Sequence, residues 1–434
     1  MSVEITAGPP DIADEHPVSP EVAATVKAAE AVLSRRFGAT VRLAEPEDLG
    51  GSGRSVVARV KVAATPFSLP RTLVVKHYRN SGALRGRQCD HEELPPEGRA
   101  GVPQGSPAGA SREALARVGV DAFTREAASC QLFTSMTVEE RVGPELVAYD
   151  PGERLLVLED LGRAPTLADK LLGGDARAAE RALIGWARSL GRLHATTAGR
   201  EADFEALARR LGRAGADDPV AAHARVALAE LPDLLAGALG VPTPERVAER
   251  ARRTARLLGV TRYRAFSPSD VCPDNNLVTS RGVRFLDFEW GSVRDIALDA
   301  AYLRVPFPSC WCVFALPPGM AEAMVAAWQA EVRVAWPDLT EEAVLPRLLD
   351  AQLLWVWVST WWFLPRAEEP DRPVDAHLPS PRRSIALVDR WERLAVQLRP
   401  VCAESAGHAE AVAAALRTRF GLGDQELPLY PAFR

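Results

Sequence analysis

The chain has 434 residues, with 52 Lys plus Arg against 57 Asp plus Glu, for a net charge of −5. That length suits two or three domains or one large bilobal unit, and the acidic balance excludes a general affinity for nucleic acid phosphates or anionic lipid. With 47% hydrophobic and 25% charged residues the composition is that of an ordinary globular protein. The longest strongly apolar stretch, 353–364, is too short for a spanning helix of about 20 residues. The first residues carry no basic head followed by an apolar run, so a cytoplasmic location is expected rather than export. Six cysteines without a Cys-x-x-Cys pair imply reduced thiols, and Cys310 and Cys312 read as core or pocket wall rather than as metal ligands. Only four of the basic residues are lysines, Lys27, Lys61, Lys76 and Lys170. A lysine here marks a place where arginine, the habitual cation, did not serve.

In chain order, Ser19 and Pro20 supply an N-cap and a first-turn proline, apolar residues recur at Val22, Val26, Ala29, Leu33 and Phe37, and Gly38 closes a helix. Val56, Ala58, Val60 and Val62 then alternate with Val57, Arg59, Lys61 and Ala63, and a second strand pattern covers 72–78. Residues 80–118 are rich in Gly, Pro and Arg without apolar periodicity, which predicts a long flexible insertion. Phe123, Ala127 and Cys130 form a helical stripe, and Asp150, Pro151, Gly152 and Glu153 predict a type II turn joining strands at 145–149 and 154–158. From about residue 165 the pattern turns helical, with Leu183, Ala187, Leu190 and His194 on one stripe, Ala-rich segments over 203–258, and helical runs at 319–335, 341–364, 382–398 and 405–419. A hairpin at 276–279 and 283–287, turning at 280–282, interrupts the helices. His194 reads as a hydrogen-bonded structural histidine. Trp355, Trp357, Trp361 and Trp362 read as core, with an aromatic wall for a sugar ring or cationic acceptor as the alternative.

The segment FSPSDVCPDNNLV at 266–278, followed by RFLDFE at 284–289, carries the most chemistry. Asp270 precedes the predicted hairpin and Asp287 ends it, so the returning chain brings two carboxylates to one place, and Asn275 adds a neutral oxygen. A few hard oxygen ligands, completed by water and phosphate, are what Mg²⁺ takes in phosphoryl-transfer sites. Glu289 and Asp295 nearby read as solvated surface acids, with attraction of an amine-bearing acceptor as the alternative.

These residues resemble the aminoglycoside phosphotransferase and choline kinase branch of the protein-kinase-like superfamily, whose signature is His-Gly-Asp-x-x-x-x-Asn followed by a metal-binding Asp. By that resemblance Asp270 is the base or orienter for the acceptor hydroxyl, Asn275 and Asp287 hold Mg²⁺, and Asp299 braces the catalytic loop. Upstream, LGGSGRSVV at 49–57 is similar to the glycine-rich turn over the nucleotide phosphates, with Gly51 and Gly53. Lys76 resembles the phosphate-binding strand lysine and Glu126 its helix partner, with Glu113 as a rival. LVLEDLG at 156–162 resembles the hinge, where backbone near Glu159 and Leu161 meets adenine. Glycines let backbone N–H groups approach phosphate, and a lysine held by a carboxylate offers a positioned charge. Two positions depart from the signature: Pro268 stands at its histidine and Ser269 at its glycine.

The resemblance implies an α+β, bilobal protein-kinase-like fold, with a nucleotide-binding lobe over 1–160 and a helical lobe over 161–434. It implies an ATP- and Mg²⁺-dependent phosphotransferase acting on a small-molecule hydroxyl: an aminoglycoside, an amino alcohol or a sugar. The alternatives are a nucleotide-binding pseudokinase, motivated by Pro268, and a protein-substrate kinase, against which stands the short span from Asp287 to Asp299.

Overall fold

The computed structural model describes residues 19–51, 55–65, 68–79, 122–212, 218–305, 307–308, 310, 313–364 and 381–434. The predicted insertion at 80–118, Gly53, Glu113 and Cys312 lie outside the described residues. The chain divides into two compact units, one formed by Met1–Cys89 with Ala148–Asp160, the other by Asp90–Val147 with Leu161–Arg434.

The first unit is a five-stranded antiparallel sheet with one helix. Helix α1 (Pro20–Phe37) begins where the Ser19 hydroxyl accepts from the Val22 N–H, and ends at Gly38 with φ 68°. The strands are β1 (Arg42–Asp48), β2 (Ser55–Ala64), β3 (Thr72–Tyr78), β4 (Leu146–Asp150) and β5 (Leu155–Glu159), in the order β1-β2-β3-β5-β4. The sequence gives no strand signal for β1, because RLAEPED has acids and a proline. It survives as an edge strand, where a missing N–H is tolerated, and its pairing slips between Ala44 and Glu47 around Glu45 at φ 47°. Val22 and Val26 of α1 pack on Val56 and Ala58 of β2. His77 faces the same helix, its Nδ1 3.2 Å from Thr25 Oγ1. Since side chains alternate along a strand, Lys76 and its cross-strand neighbours Val57 and Leu156 occupy the opposite face. The turn between β4 and β5 differs from the type II expectation: the positive φ belongs to Arg154, at 53°, and not to Gly152. The Glu153 N–H donates to Asp150 Oδ1 at 3.0 Å, so the aspartate side chain closes the turn and the left-handed residue moves to its end.

The second unit is mainly helical. Its helices are α2 (Ala122–Thr134), α3 (Leu167–Leu172), α4 (Ala176–Thr197), α5 (Glu201–Arg210), α6 (Pro219–Leu239), α7 (Glu245–Arg253), α8 (Ala297–Ala300), α9 (Met320–Val332), α10 (Glu341–Phe363), α11 (Arg383–Leu398) and α12 (Ala403–Phe420). Between α7 and α8 lie two small antiparallel pairs, β6 (Arg264–Ser267) with β9 (Ser292–Asp295), and β7 (Asn276–Thr279) with β8 (Gly282–Phe285). The stripe Leu183, Ala187, Leu190 and His194 of α4 is buried. Helix α9 crosses it so closely that a Cβ on Gly191 would lie 2.7 Å from Trp328 O. Together the two units make an α+β chain. Among the described residues no helix is long and apolar enough to cross a membrane.

Candidate active site

In the first unit, the turn from β1 to β2 is tight because glycine allows it. The Val57 N–H donates to Gly50 O and the Leu49 N–H to Val57 O, both at 2.9 Å. Gly51 sits at φ 140°, and a Cβ there would fall 2.4 Å from Ser55 O, so only glycine fits. Lys76 is buried at 6% exposure, with its ammonium 5.2 Å from the centroid of the Tyr78 ring. Glu159 ends β5 opposite Leu73. Beyond it, Asp160 accepts two hydrogen bonds from Arg59, Nε to Oδ2 at 2.9 Å and Nη2 to Oδ1 at 3.2 Å.

In the second unit, β6 and β9 run side by side, and the chain between them carries Asp270, Asn275 and Asp287. The Asp270 N–H donates to Pro268 O at 2.8 Å, a three-residue turn centred on Ser269 at φ 63°. That position suits glycine, so the serine found here is held in the left-handed region by its surroundings. The Asn275 Nδ2 approaches Asp270 Oδ2 at 3.5 Å. After the β7–β8 hairpin, the Leu286 N–H donates to Asn275 O at 2.8 Å, which brings Asp287 back beside the loop. The hairpin thus returns the residue before Asp287 to Asn275, whose amide in turn approaches Asp270. Asn276 is fully buried and its amide ties the loop internally by donating to Val271 O at 3.0 Å and to Cys272 O.

Asp287 also has a positive φ, 60°. The turn it makes drives Phe288 into the core, 4.8 Å from Phe133 and 5.9 Å from Phe266 between ring centroids. Gly143 and Gly291 leave room for this cluster: a Cβ on either would come within about van der Waals overlap of Phe133 or Phe266, at 2.8 Å and 3.0 Å. A buried aromatic anchor next to a half-buried carboxylate fixes the direction of the carboxylate.

The loop is braced from beneath its start. Asp299, fully buried, accepts from the Ser267 hydroxyl at 2.8 Å and from His194 Nε2 at 3.1 Å. The Trp328 indole N–H donates to His194 Nδ1 at 3.0 Å, so the ring proton that faces Asp299 is the one on Nε2. Ser267 in turn accepts from Arg294 Nη1 at 3.0 Å. Arg294 also donates from Nε and Nη2 to Asp218, at 2.6–2.9 Å, and from Nη2 to Trp290 O at 2.6 Å. Burial would raise the Asp218 pKa, but the Arg294 charge and hydrogen bonds outweigh it and hold the carboxyl below its ordinary value. Ser267, Asp218 and Arg294 were not evident from the sequence. A hydroxyl three residues before Asp270 is a weak local signal, and Asp218 is 76 residues from its partner. His194 is structural, as its stripe predicts.

Other expectations are corrected. Asp295 cannot attract an acceptor: it is fully buried, accepting from Thr261 Oγ1 at 2.6 Å, from the Ala297 N–H at 3.0 Å and from Arg347. The tryptophans divide. Trp355 and Trp357 are core, at 2% and 0% exposure, while Trp361 and Trp362 are half-buried beside half-buried His223 and Trp290. The Trp362 indole donates to His223 Nδ1 at 2.8 Å, and the His223 ring lies 5.3 Å from that of Trp290. Burial lowers the His223 pKa to about 4, against a small opposing pull from Asp218.

No family model matches the chain, and no curated protein matches it. Solved structures it is similar to include small-molecule kinases. One is choline kinase LicA from Streptococcus pneumoniae, at 14% identity and TM-score 0.42, covering 86% of this chain and 98% of that one. A second is choline kinase from Cryptosporidium parvum Iowa II, at 11% identity and TM-score 0.40, covering 88% and 89%. A third is a thermostable mutant of aminoglycoside phosphotransferase APH(4)-Ia in ternary complex with ADP and hygromycin B, at 12% identity and TM-score 0.40, covering 89% and 98%.

Proposed function

We propose that the chain is an ATP- and Mg²⁺-dependent phosphotransferase that moves the γ-phosphoryl group to a hydroxyl of a small molecule. The observation that supports this is the return of the chain at Leu286 to Asn275, 2.8 Å from N–H to O, one residue before Asp287, while the Asn275 amide lies 3.5 Å from Asp270 Oδ2. The donor set fits Mg²⁺: one carboxylate and one amide are hard oxygen donors, few in number, as a cation shared with phosphates requires. With its NH₂ group turned toward Asp270, the Asn275 amide presents its oxygen away from that carboxylate. Asn275 and Asp287 are the residues that would hold the metal.

When bound, Mg²⁺·ATP supplies the phosphoryl group and offsets its charge. The chain's own residues do the rest. The Asp270 carboxylate would accept a hydrogen bond from the acceptor hydroxyl, orient it, and take its proton as the oxygen bonds to the γ-phosphorus and the bond from that phosphorus to the bridging oxygen breaks, releasing ADP. The Ser267, Asp299 and His194 network keeps the loop in place although Pro268 replaces the signature histidine, which weighs against the pseudokinase reading. Lys76 would meet phosphate oxygens, and the backbone at Gly51 would cover them. Glu159 and Leu161 would meet adenine through backbone groups. Trp290, Trp362 and His223, close in sequence or contact to the metal-binding turn, would line the acceptor side as an aromatic and, at neutral pH, uncharged wall.

The test is a thermal-shift titration with ATP, with and without Mg²⁺, on the wild type, Asp287→Asn and Asp270→Ala. Saturation at about 100 times the dissociation constant stabilises the fold by roughly 2.7 kcal/mol. A Mg²⁺-dependent rise kept in Asp270→Ala and lost in Asp287→Asn is expected, with ADP release from hydroxylated acceptors abolished in both. Turnover retained by Asp270→Ala would overturn the assignment.

A further inference from the structure

The segment between Asp270 and Asn275 carries a second set of donors that the phosphotransfer chemistry does not use. Cys272 Sγ, Cys310 Sγ and a carboxylate oxygen of Asp274 all lie within 4.8 Å of one another. The two cysteines are buried, at 5% and 6% exposure, and their thiols share a hydrogen bond. Asp274 Oδ1 is buried without a hydrogen-bond partner among the described residues. An orphaned buried acceptor costs about 1–3 kcal/mol, more if charged, so its retention calls for a ligand. A third observation concerns charge. Arg390, at 4% exposure, lies within electrostatic reach of both sulfurs, and its Nε also lacks a partner among the described residues.

We propose that Cys272, Asp274 and Cys310 form a binding site for a thiophilic divalent cation of the zinc class. Two thiolates and one carboxylate select such a cation over Mg²⁺, whose preference is for oxygen donors alone. Zinc bonds of about 2.3 Å to sulfur in a tetrahedron put two sulfurs roughly 3.8 Å apart, so the two sulfurs need to close by at most about 1 Å. Three anionic ligands around a doubly charged ion leave one net negative charge, and the buried Arg390 guanidinium supplies the counter-charge. The metal would replace the thiol–thiol hydrogen bond, satisfy the Asp274 oxygen, and leave a fourth position for water. Because Cys272 and Asp274 lie inside the loop that starts at Asp270, coordination by Cys310 clips that loop to the chain that precedes α9.

The experiment uses the full-length protein, reduced and stripped of metal, titrated with Co²⁺ as a spectroscopic substitute for zinc. Thiolate-to-cobalt charge-transfer absorption saturating at one equivalent is expected. It should be displaced by zinc, lost in Cys272→Ser and in Cys310→Ser, weakened at least tenfold in Asp274→Asn, and kept in Cys402→Ser. On the wild type alone, zinc should shield Cys272 and Cys310 from alkylation read by mass spectrometry, which decides the matter even where a variant does not fold. Absence of the band, its survival in both cysteine variants, or alkylation unaffected by zinc would overturn the proposal. A Cys272–Cys310 disulfide that takes up no cobalt after reduction would do the same. None of these readouts needs ATP or an acceptor, so the site stands or falls apart from the phosphotransferase reading.

Discussion

Replacing Asp218 by alanine removes a carboxylate that Arg294 meets with three N–H···O contacts, Nε to both oxygens at 2.9 and 2.8 Å and Nη2 to Oδ1 at 2.6 Å. The guanidinium, 2% exposed, then stays buried without a counter-charge. Breaking a buried pair from one side costs about 3–5 kcal/mol, and the 19% exposure of Asp218 lets water in, which places the cost near the lower end, about 3 kcal/mol. Asp218 also caps α6, accepting from the Val220 N–H at 3.0 Å, for about another 1 kcal/mol. Asp218→Ala should therefore lose about 4 kcal/mol, and Asp218→Asn, which keeps the cap and the volume, about 3 kcal/mol. Urea unfolding followed by tryptophan fluorescence measures this in the right place, because all 10 tryptophans lie in the second unit. Combining Asp218→Asn with Arg294→Met removes the stranded charge and should recover about 2 kcal/mol. A loss below about 1 kcal/mol in Asp218→Ala, or strict additivity in the double variant, would show that the pair does not carry this load.

The same carboxyl predicts a pH dependence. Its folded pKa is depressed below 3.8, so its stabilisation is complete above the unfolded value and is lost as pH falls through the lower folded value. The wild-type minus Asp218→Asn stability difference should shrink below about pH 4; a flat difference would refute the linkage. His223 is also depressed, by burial, to about 4 from 6.5, so its neutral form stabilises the fold above the unfolded pKa and loses that contribution as pH falls from about 6.5 to 4, on the order of 3 kcal/mol in all. His223→Gln should flatten this limb in a melting-temperature profile. Trp328→Phe deletes the indole donor to His194 Nδ1 and should cost about 1–2 kcal/mol beyond packing, with loss of the single His194 tautomer in nitrogen NMR. Gly51→Ala places a Cβ 2.4 Å from Ser55 O and should distort the turn, weakening ATP affinity about tenfold and so roughly halving the ATP-dependent stabilisation, while leaving the second unit's tryptophan transition unchanged.

What the sequence determined by itself was local. Strand alternation at Val56–Val62, the cap and closing glycine of α1, the β7–β8 hairpin and the spacing of Asp270, Asn275 and Asp287 all follow from periodicity and turn chemistry within about twenty residues. The edge strand β1 escaped because an edge needs neither a full set of donors nor two apolar faces. Only the tertiary structure decided which polar residues would share a carboxylate. Asp295 read as an available acid because its neighbours in sequence do not neutralise it; Arg347, 52 residues on, does. Ser267 took over the bracing of the loop only because Asp299, His194 and Trp328 arrive from three helices to a single buried point. Burial makes such meetings obligatory, since a polar group removed from water must find a partner wherever the fold can supply one. A linear pattern records which groups exist, but the packing of distant elements decides which of them are consumed by one another and which remain for chemistry.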